Sequence, residues 1–284
     1  MKLNMDSSDI FIPDSTPVMD ALARTTHMGI GAHQDDLEIM SVAGILECFQ
    51  QEDKWFCGVT VTDGRGSPRD GLYKNYTDEE MRIVRRKEQV NAAIVGGYGA
   101  QVQLDHPSSA AKGEHKSGVI SDLNKIISAA KPEVIYTHNL ADKHDTHVGV
   151  ALRVIEALRQ LDPEERPGKL FGCEVWRDLD WVVDEDKVTF DVSAHENLQA
   201  ALLGVFDSQI SGGKRYDLAS MGRRRANATY FASHGTDIVT GMIYGIDLTP
   251  LIKDDHLDIQ GYTDGYFQRV SADVQARLAR LQVS

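Results

Sequence analysis

The 284-residue sequence has few cysteines, no membrane-length apolar run and no excess of basic charge. Its three cysteines, Cys48, Cys57 and Cys173, are odd in number, widely spaced and set among apolar residues. They therefore predict reduced core thiols, and not a disulfide framework or a thiolate metal site. The formal net charge of −13 argues against nucleic acid or an anionic membrane as the main partner.

A signal peptide and a nucleotide-binding glycine motif are also missing. Residues 1–17 carry acidic and polar side chains where a signal peptide has its apolar core, so we expect a cytoplasmic protein. No Gly-x-Gly-x-x-Gly motif follows the first predicted strand, which argues against a Rossmann-type nucleotide enzyme. The net charge fits a small neutral or cationic substrate but selects no function.

Strand-like and helix-like segments alternate over the first 161 residues. Strands are predicted at 27–32, 56–62, 102–104 and 134–137, and helices at 38–51, 77–95, 118–130 and 149–161. Thr77 and Glu80 have the spacing of a capping box at the start of the second helix. This alternation predicts an α/β fold, with a mostly parallel sheet that is covered by helices on both faces.

The alternation weakens after Leu161, where we expect a C-terminal α/β extension. The patterns predict strands at 173–181 and 188–191, a helix from the N-cap Ser193 to Phe206, a basic helix at 215–231 and a final helix at 272–281. This part of the chain is expected to extend the sheet and to form a cover or an assembly surface.

The segment 31–38 concentrates ionisable side chains between the first strand and the first helix. His33, Asp35 and Asp36 lie there within four residues. Adjacent carboxylates repel each other, and near a buried strand end each must lose water, so a divalent cation would offset both costs. A plain helix N-cap at Asp35 or Asp36 is the alternative. Loops 63–67 and 138–147 also follow strands and should meet at the same edge of the sheet.

Imidazole and carboxylate together form a typical zinc pair. A catalytic zinc needs a third protein ligand and an open position, and His144 and His147, at the start of a helix, offer one imidazole for the metal and one for the substrate. Asp35 would then be free to accept a proton from water. His138 ends a strand at the same edge, so it could also line the pocket.

Five motifs, in order along residues 26–210, resemble those of the PIG-L/LmbE-like zinc N-deacetylases, which remove acetyl groups from N-acetylglucosamine-type sugars and related amides. They are His33-Gln34-Asp35-Asp36-Leu37-Glu38, Val61-Thr62-Asp63-Gly64, Arg85-Arg86-Lys87-Glu88, the His144 and His147 pair, and Phe206-Asp207-Ser208-Gln209. The fold that the resemblance implies is a Rossmann-like α/β sheet. Because the resemblance covers residues 26–210, we expect a catalytic domain there, with an N-terminal extension at 1–25 and a C-terminal helical cover or assembly region at 211–284.

The resemblance assigns a role to each candidate residue. His33, Asp36 and His147 would bind one Zn²⁺ per chain, with Fe²⁺ also compatible with these ligands. Asp35 would be the general base, and His144 would stabilise the tetrahedral intermediate or act as the acid. Weaker candidates for binding substrate hydroxyls are Arg85, Asp63 and Gly64. A homo-oligomer, trimeric or hexameric, is expected from the resemblance alone.

Two positions depart from the family pattern. Gln34 replaces the usual proline, which changes the rigidity of the turn more than its chemistry. Thr146 stands where an aspartate often tunes the second histidine, and Asp142 or Asp145 could substitute for it.

Several features of the sequence have two interpretations. The run Arg223-Arg224-Arg225 fits an anionic substrate group, but fits a solvated helix face or a subunit interface better. Trp176 and Trp181 could stack on a sugar or pack in the core. For function, we expect a zinc-dependent hydrolase that deacetylates an N-acetylated amino sugar or sugar conjugate. The alternatives are a catalytically silent, metal-stabilised carbohydrate-binding protein and an amidase acting on a non-sugar amide.

Overall fold

The computed structural model describes residues 1–282 and contains an eight-stranded sheet in the order β1-β4-β3-β2-β5-β6-β8-β7. The strands are β1 (Asp9–Phe11), β2 (His27–Gly31), β3 (Phe56–Thr62), β4 (Ala100–His106), β5 (Val134–His138), β6 (Lys169–Cys173), β7 (Val188–Asp191) and β8 (Met242–Asp247).

Twelve α-helices are present among the described residues. They are α1 (Val18–Ala23), α2 (Asp36–Met40), α3 (Val42–Cys48), α4 (Asp78–Gly96), α5 (Ser108–Lys112), α6 (Lys116–Ala130), α7 (Asp145–Arg159), α8 (Glu196–Gly204), α9 (Asp207–Ile210), α10 (Tyr216–Tyr230), α11 (Pro250–Lys253) and α12 (Ile259–Gln282). Short 3₁₀ turns lie at Gly71–Tyr73, Pro163–Glu165 and Asp184–Asp186.

The five central strands, β4-β3-β2-β5-β6, are parallel, and antiparallel strands flank them. The chain builds outwards from β2 through β3 to β4, then returns to place β5 on the other side of β2. This reversal is the switch point at which open α/β sheets bind ligands, beyond the carboxyl ends of the strands. The predicted α/β fold with a mostly parallel sheet is confirmed.

The two faces of β2 explain how helices cover both sides of the sheet. Met28 and Ile30 are fully buried in one core cluster, together with apolar side chains of α6 and α7. On the other face, a Cβ at Gly31 would lie 3.0 Å from the Cβ of Asp36 and 3.2 Å from the Leu37 side chain. The absence of a side chain at Gly31 therefore lets α2, which carries Asp36, lie close against the sheet.

The predicted elements before residue 161 are present, with changed limits. The helix predicted at 38–51 is divided into α2 and α3 at Ser41. The helix predicted at 149–161 begins earlier, at Asp145, so His147 lies in its first turn. The strand predicted at 102–104 is longer, and Thr77 and Glu80 form the predicted capping box.

Predictions for the second half of the chain were less accurate. The strand predicted at 173–181 is wrong, because β6 ends at Cys173 and the Glu174 carboxylate accepts the Leu179 N–H, which folds the following segment into a loop. Ser193 is not an N-cap, because α8 begins at Glu196. Between β8 and the helix predicted at 272–281, where the patterns predict no element, the structure contains α11 and the beginning of the 24-residue α12. Residues 211–282 also contribute β8 to the sheet.

The three cysteines are free and buried, as predicted for core thiols. Burial raises the pKa of Cys48 and of Cys57 to about 12, so both thiols stay protonated at neutral pH. None of the helices within residues 1–282 has the length and apolar character needed to cross a membrane.

Candidate active site

His33, Asp36 and His147 surround one point at the switch between β2 and β5. His33 Nδ1 lies 3.2 Å from His147 Nε2 and 3.4 Å from Asp36 Oδ2, and His147 Nε2 lies 3.4 Å from Asp36 Oδ1. All three potential ligand atoms lie within 4.8 Å of one another. Two imidazoles and one carboxylate form a donor set that suits zinc or ferrous iron and leaves coordination positions open.

Asp36 begins α2 and is fixed by the turn before it. Its Oδ2 accepts the His33 backbone N–H at 2.6 Å, which orients the carboxylate towards the two imidazoles. Burial raises the pKa of Asp36, but the imidazoles of His147 and His138 outweigh this effect and hold the pKa well below its usual range. Asp36 is therefore ionised, as a metal ligand must be.

His147 is held between two other histidine rings. The His138 ring stacks on one side at a centroid distance of 3.9 Å, and the His144 ring on the other at 4.6 Å. Behind it, Asp142 Oδ2 lies 3.8 Å from His147 Nδ1, while Asp142 Oδ1 accepts the His144 N–H at 2.9 Å. A carboxylate behind a metal-ligating imidazole orients the ring and raises its basicity. Asp142, and not the exposed Asp145, takes this position, and it serves His147 rather than His144.

His138 lies beneath the site and does not line the pocket. Its Nε2 accepts the Ala32 N–H at 2.9 Å, so the neutral ring carries its proton on Nδ1. Burial lowers its pKa to about 4, which keeps the ring neutral at physiological pH. His138 therefore supports His147 by packing.

Asp35 precedes α2 in a backbone conformation with φ at 101°, which is uncommon for residues other than glycine. Its backbone N–H donates to Gln89 Oε1 at 3.4 Å, and its Oδ1 lies 3.4 Å from Arg85 Nη2. Its side chain makes no capping hydrogen bond to α2, so an N-cap does not explain it. Burial raises the pKa of Asp35 well above its usual range, although Arg85 opposes this shift.

A buried polar network below the turn supports Asp35 and was not predicted from the sequence. Glu38 Oε1 accepts hydrogen bonds from Gln89 Nε2 and from the Tyr98 hydroxyl, both at 2.8 Å. Burial raises the pKa of Glu38 to about 7. Gln89 also accepts the Asp35 N–H through its Oε1. Glu38 therefore holds the backbone of Asp35 in place through Gln89.

His144 caps α7 with its side chain. Its Nδ1 accepts the Thr146 N–H at 3.3 Å, so the neutral ring carries its proton on Nε2. Burial, followed by the neighbouring His147 and His33 rings, lowers its pKa and favours this neutral form. The ring lines the pocket, where an Nε2–H can donate a hydrogen bond to a bound group.

A cavity of about 470 Å³ opens above these residues. His33, Asp35, Asp36 and His144 lie in its wall. Trp176 also lines it, whereas Trp181 stacks on Phe267 at 4.5 Å, away from the pocket. The arrangement joins a possible metal site, a carboxylate and a proton donor at the wall of one substrate-sized cavity.

The predicted substrate-binding residues are only partly in the pocket wall. Gly64, with φ at 67°, lines the pocket, and Arg85 does so as well, but its guanidinium already donates to Gln34 O and Ser67 Oγ. Asp63 does not line the pocket, because its carboxylate pairs with Arg65 at 2.6 Å. Within the wall, the structure thus favours Arg85 as support for the Asp35 turn.

A glutamate of α4, Glu88, holds the Ser208-Gln209 motif next to the pocket. Ser208 donates to Glu88 from both its backbone N–H and its hydroxyl, each at 2.6 Å. This anchors α9 and places Gln209 in the pocket wall. Gln209 is therefore a functional candidate, although the motif that contains it predicted no role for this side chain.

The three consecutive arginines have three different environments. Arg224 is buried and donates to Glu38 O at 2.7 Å and to Gln199 Oε1 at 2.9 Å. Arg225 is exposed and pairs with Glu196. Arg223 lines the pocket. Only Arg223 is therefore placed to meet a substrate.

The family model described as PIG-L, GlcNAc-PI de-N-acetylase, matches residues 28–158. The match contains the His33–Asp36 turn, the Asp35-supporting helix α4 and both His144 and His147. It confirms the resemblance to the PIG-L/LmbE-like family that the motifs predicted.

Solved structures of similar fold include enzymes of more than one kind. Three of them are N,N'-diacetylchitobiose deacetylase from Pyrococcus horikoshii (17% identity, 78% of this chain and 83% of that one, TM-score 0.57), the pseudoaglycone deacetylase Dbv21 (16%, 79% and 97%, 0.59) and the 4-carboxy-2-hydroxymuconate hydratase GalB from Pseudomonas putida (15%, 79% and 96%, 0.59). At these identities the likeness establishes the fold, and the hydratase shows that the fold alone does not determine the reaction.

Proposed function

From the PIG-L/LmbE-like character of residues 28–158, we propose that this protein is a metal-dependent hydrolase that removes an acetyl group from an N-acetylated amino sugar or sugar conjugate. The observation that carries the proposal is the convergence of His33, Asp36 and His147 on one point, with Asp35 and His144 beside it on the same pocket wall.

His33, Asp36 and His147 would hold the metal. Their donor atoms fit one Zn²⁺ per chain, and Fe²⁺ fits the same set. When bound, the cation supplies Lewis acidity at the acetyl carbonyl. Asp142 supports this role because its carboxylate lies behind His147, 3.8 Å from Nδ1.

Asp35 would act as the general base. It is the carboxylate at the pocket wall that is not a member of the ligand group, and its raised pKa brings its proton affinity closer to neutral pH. It takes a proton from the attacking water as oxygen bonds to the acetyl carbon. The same proton can pass to the amine nitrogen when the C–N bond breaks, so that acetate and a free amino sugar leave.

His144 would stabilise the tetrahedral intermediate. Its capping bond to Thr146 fixes the ring so that Nε2 carries the proton, and an uncharged N–H donor suits a developing oxyanion. The ring does not need to gain or lose a proton in this role.

The test combines metal analysis with acetate release from a panel of N-acetylglucosamine derivatives, with and without chelator. We expect about one metal ion per chain and chelator-sensitive release. Asp35→Asn should keep the metal and lose at least about 100-fold in kcat, because the base contributes that order of rate. His147→Ala should lose the metal, and the exposed Asp145→Asn serves as the matched control.

Wild-type turnover by Asp35→Asn would refute the assigned base. Sugar binding without acetate release from any member of the panel would instead favour a carbohydrate-binding protein. The cytoplasmic location and the trimer or hexamer remain predictions, and sedimentation analysis of the purified protein tests the second.

A further inference from the structure

The pocket wall has the opposite charge balance to the chain as a whole. The sequence contains 30 lysines and arginines against 43 aspartates and glutamates. The acidic residues that line the pocket are Asp35 and Asp36, whereas the basic ones are Arg85, Lys112, Lys214 and Arg223. A basic wall in an acidic protein needs a specific explanation.

Three of the four basic side chains form no ion pair with a carboxylate of the described residues. Arg85 lies beside Asp35, but no carboxylate among residues 1–282 comes within 4.0 Å of Lys112, Lys214 or Arg223. Burial raises the pKa of Glu174, and the charge of Arg223 opposes this shift only in part, while the Glu174 carboxylate already accepts the N–H groups of Leu179 and Tyr244. The three cations therefore retain the capacity to bind an anion.

These cations come from separate segments, and Lys214 adjoins an aromatic side chain. Lys112 ends α5, Lys214 precedes α10, and Arg223 lies within α10, where its Nη1 donates to Val175 O at 2.6 Å. Lys214 Nζ lies 5.3 Å from the centre of the Trp176 ring, which meets Tyr216 edge-on at 5.7 Å. One contact fixes Arg223 and leaves its remaining N–H groups for a ligand.

We propose that Lys112, Lys214 and Arg223 bind an anionic group, a phosphate or a carboxylate, that the substrate carries at a distance from its N-acetyl group. The inference rests on the proposed deacetylase function and narrows its substrate class to anionic N-acetylated sugars or conjugates. The neighbouring Trp176 ring offers an apolar face for the sugar, while the guanidinium and ammonium groups offer charge-assisted hydrogen bonds.

The experiment compares kcat/KM for matched neutral and anionic substrates. N-acetylglucosamine is the neutral reference, N-acetylglucosamine 6-phosphate carries a phosphate, and N-acetylmuramic acid carries a carboxylate. In the wild-type protein at low salt, we expect kcat/KM for at least one anionic substrate to exceed that for the neutral one by about tenfold or more. A hydrogen bond to a charged group changes a binding constant by about this factor. Whichever is preferred identifies the anion, and the preference should shrink as ionic strength rises.

The combined variant Lys112→Gln, Lys214→Gln, Arg223→Gln should reduce the anionic-to-neutral ratio of kcat/KM to about one. Arg225→Gln, on the same helix but outside the pocket wall, is the matched control and should keep the wild-type ratio. Release from the neutral and both anionic sugars at equal kcat/KM would overturn the anion site and leave the deacetylase function standing.

If no sugar is deacetylated, calorimetry tests the anion site separately from the deacetylase function. Absence of acetate release from every sugar would count against the deacetylase function. Glucosamine 6-phosphate that binds more tightly than glucosamine, with the difference lost in the combined variant, would still support the anion site. Equal binding of the two amino sugars would overturn it.

Discussion

Asp35 and Asp36 are identical, adjacent side chains whose surroundings shift their pKa values in opposite directions. Burial raises the pKa of Asp35, whereas the imidazoles around Asp36 overcome its burial and lower its pKa. One carboxyl group is thereby suited to exchange a proton and the other to remain an anionic ligand. The turn achieves this with the unusual φ of Asp35, which directs the two side chains to different neighbours.

His144 combines two roles, and one substitution can separate them. Asparagine is a strong N-cap residue, so His144→Asn should keep the cap of α7 while removing the Nε2–H donor. We expect the melting temperature and metal content to stay near the wild-type values and kcat to fall by about 100-fold or more, as for the loss of an oxyanion donor. Thermal unfolding, metal analysis and acetate release measure the three quantities.

His144→Ala provides the comparison, because it should lose the same activity and also about 1 kcal/mol of stability with the cap. Loss of the metal in His144→Asn would contradict the assignment and make His144 a ligand.

At this scale the sequence predicts the residues that lie in one motif. His33, Asp35 and Asp36 are contiguous, and the His144 and His147 pair has the right spacing before a helix. Asp142 and Gln209 are less predictable, because Asp142 becomes relevant only when the loop folds behind His147, and Gln209 only when Glu88 anchors α9. Lys214 has no local signal at all, since its position in the wall depends on the whole pocket.

Among the elements, the N-terminal segment is joined to the sheet and to α6. β1 pairs with β4, and Asp122 of α6 accepts hydrogen bonds from both the backbone N–H and the side-chain amide of Asn4. The His106 imidazole lies 3.0 Å from the same carboxylate. The segment before residue 12 is therefore an integral part of the sheet edge.

Asp122→Asn should test how strongly this segment is anchored. Burial raises the pKa of Asp122, but hydrogen bonds from His106 and Asn4 outweigh it and lower the pKa below 3.8. The ionised carboxylate thus stabilises the fold above about pH 4, and this contribution is lost as the pH falls below 3.8 through the folded-state pKa. At pH 7 we expect Asp122→Asn to lose about 2 kcal/mol in urea unfolding.

The loss should be smaller at pH 3, because the contribution of the ionised carboxylate declines once the pH falls below the usual pKa of an aspartate, which the unfolded chain retains. The exposed Asp20→Asn is the control. An equal loss at both pH values would show that ionisation of Asp122 contributes nothing.

Elements with strong local patterns were predicted well, and elements defined by distant partners were not. The buried strands β2, β3 and β5 follow from apolar runs, and α4 from its capping box. β1 is a three-residue edge strand whose existence depends on β4. The apolar residues near Val175 suggested a strand, but Glu174 holds them in a loop by accepting backbone N–H groups from Leu179 and Tyr244.

At the scale of the whole molecule, metal binding should stabilise the fold. His147 and Asp36 are buried, so removal of a cation would leave their donor atoms facing one another without a common partner. At a free metal concentration of 100 times the Kd, binding adds about 2.7 kcal/mol. For a chain of this size we expect the chelator to lower the melting temperature by roughly 5 °C.

Calorimetric scans of chelated and reconstituted protein measure this shift, and His147→Ala should show none. The same melting temperature for chelated and reconstituted wild-type protein would argue against a metal held by these three residues.

The strand order has a consequence for synthesis of the protein. Among residues 1–282, β7 joins the sheet only through β8, and residues 192–241 lie between them in the chain. At a translation rate of roughly 5–20 residues per second, β7 leaves the ribosome several seconds before its partner exists. During that interval the edge of β6 is also unpaired, so the nascent chain presents exposed strand edges to other chains. The emergence of β8 therefore sets the earliest moment at which this side of the newborn protein is protected from aggregation.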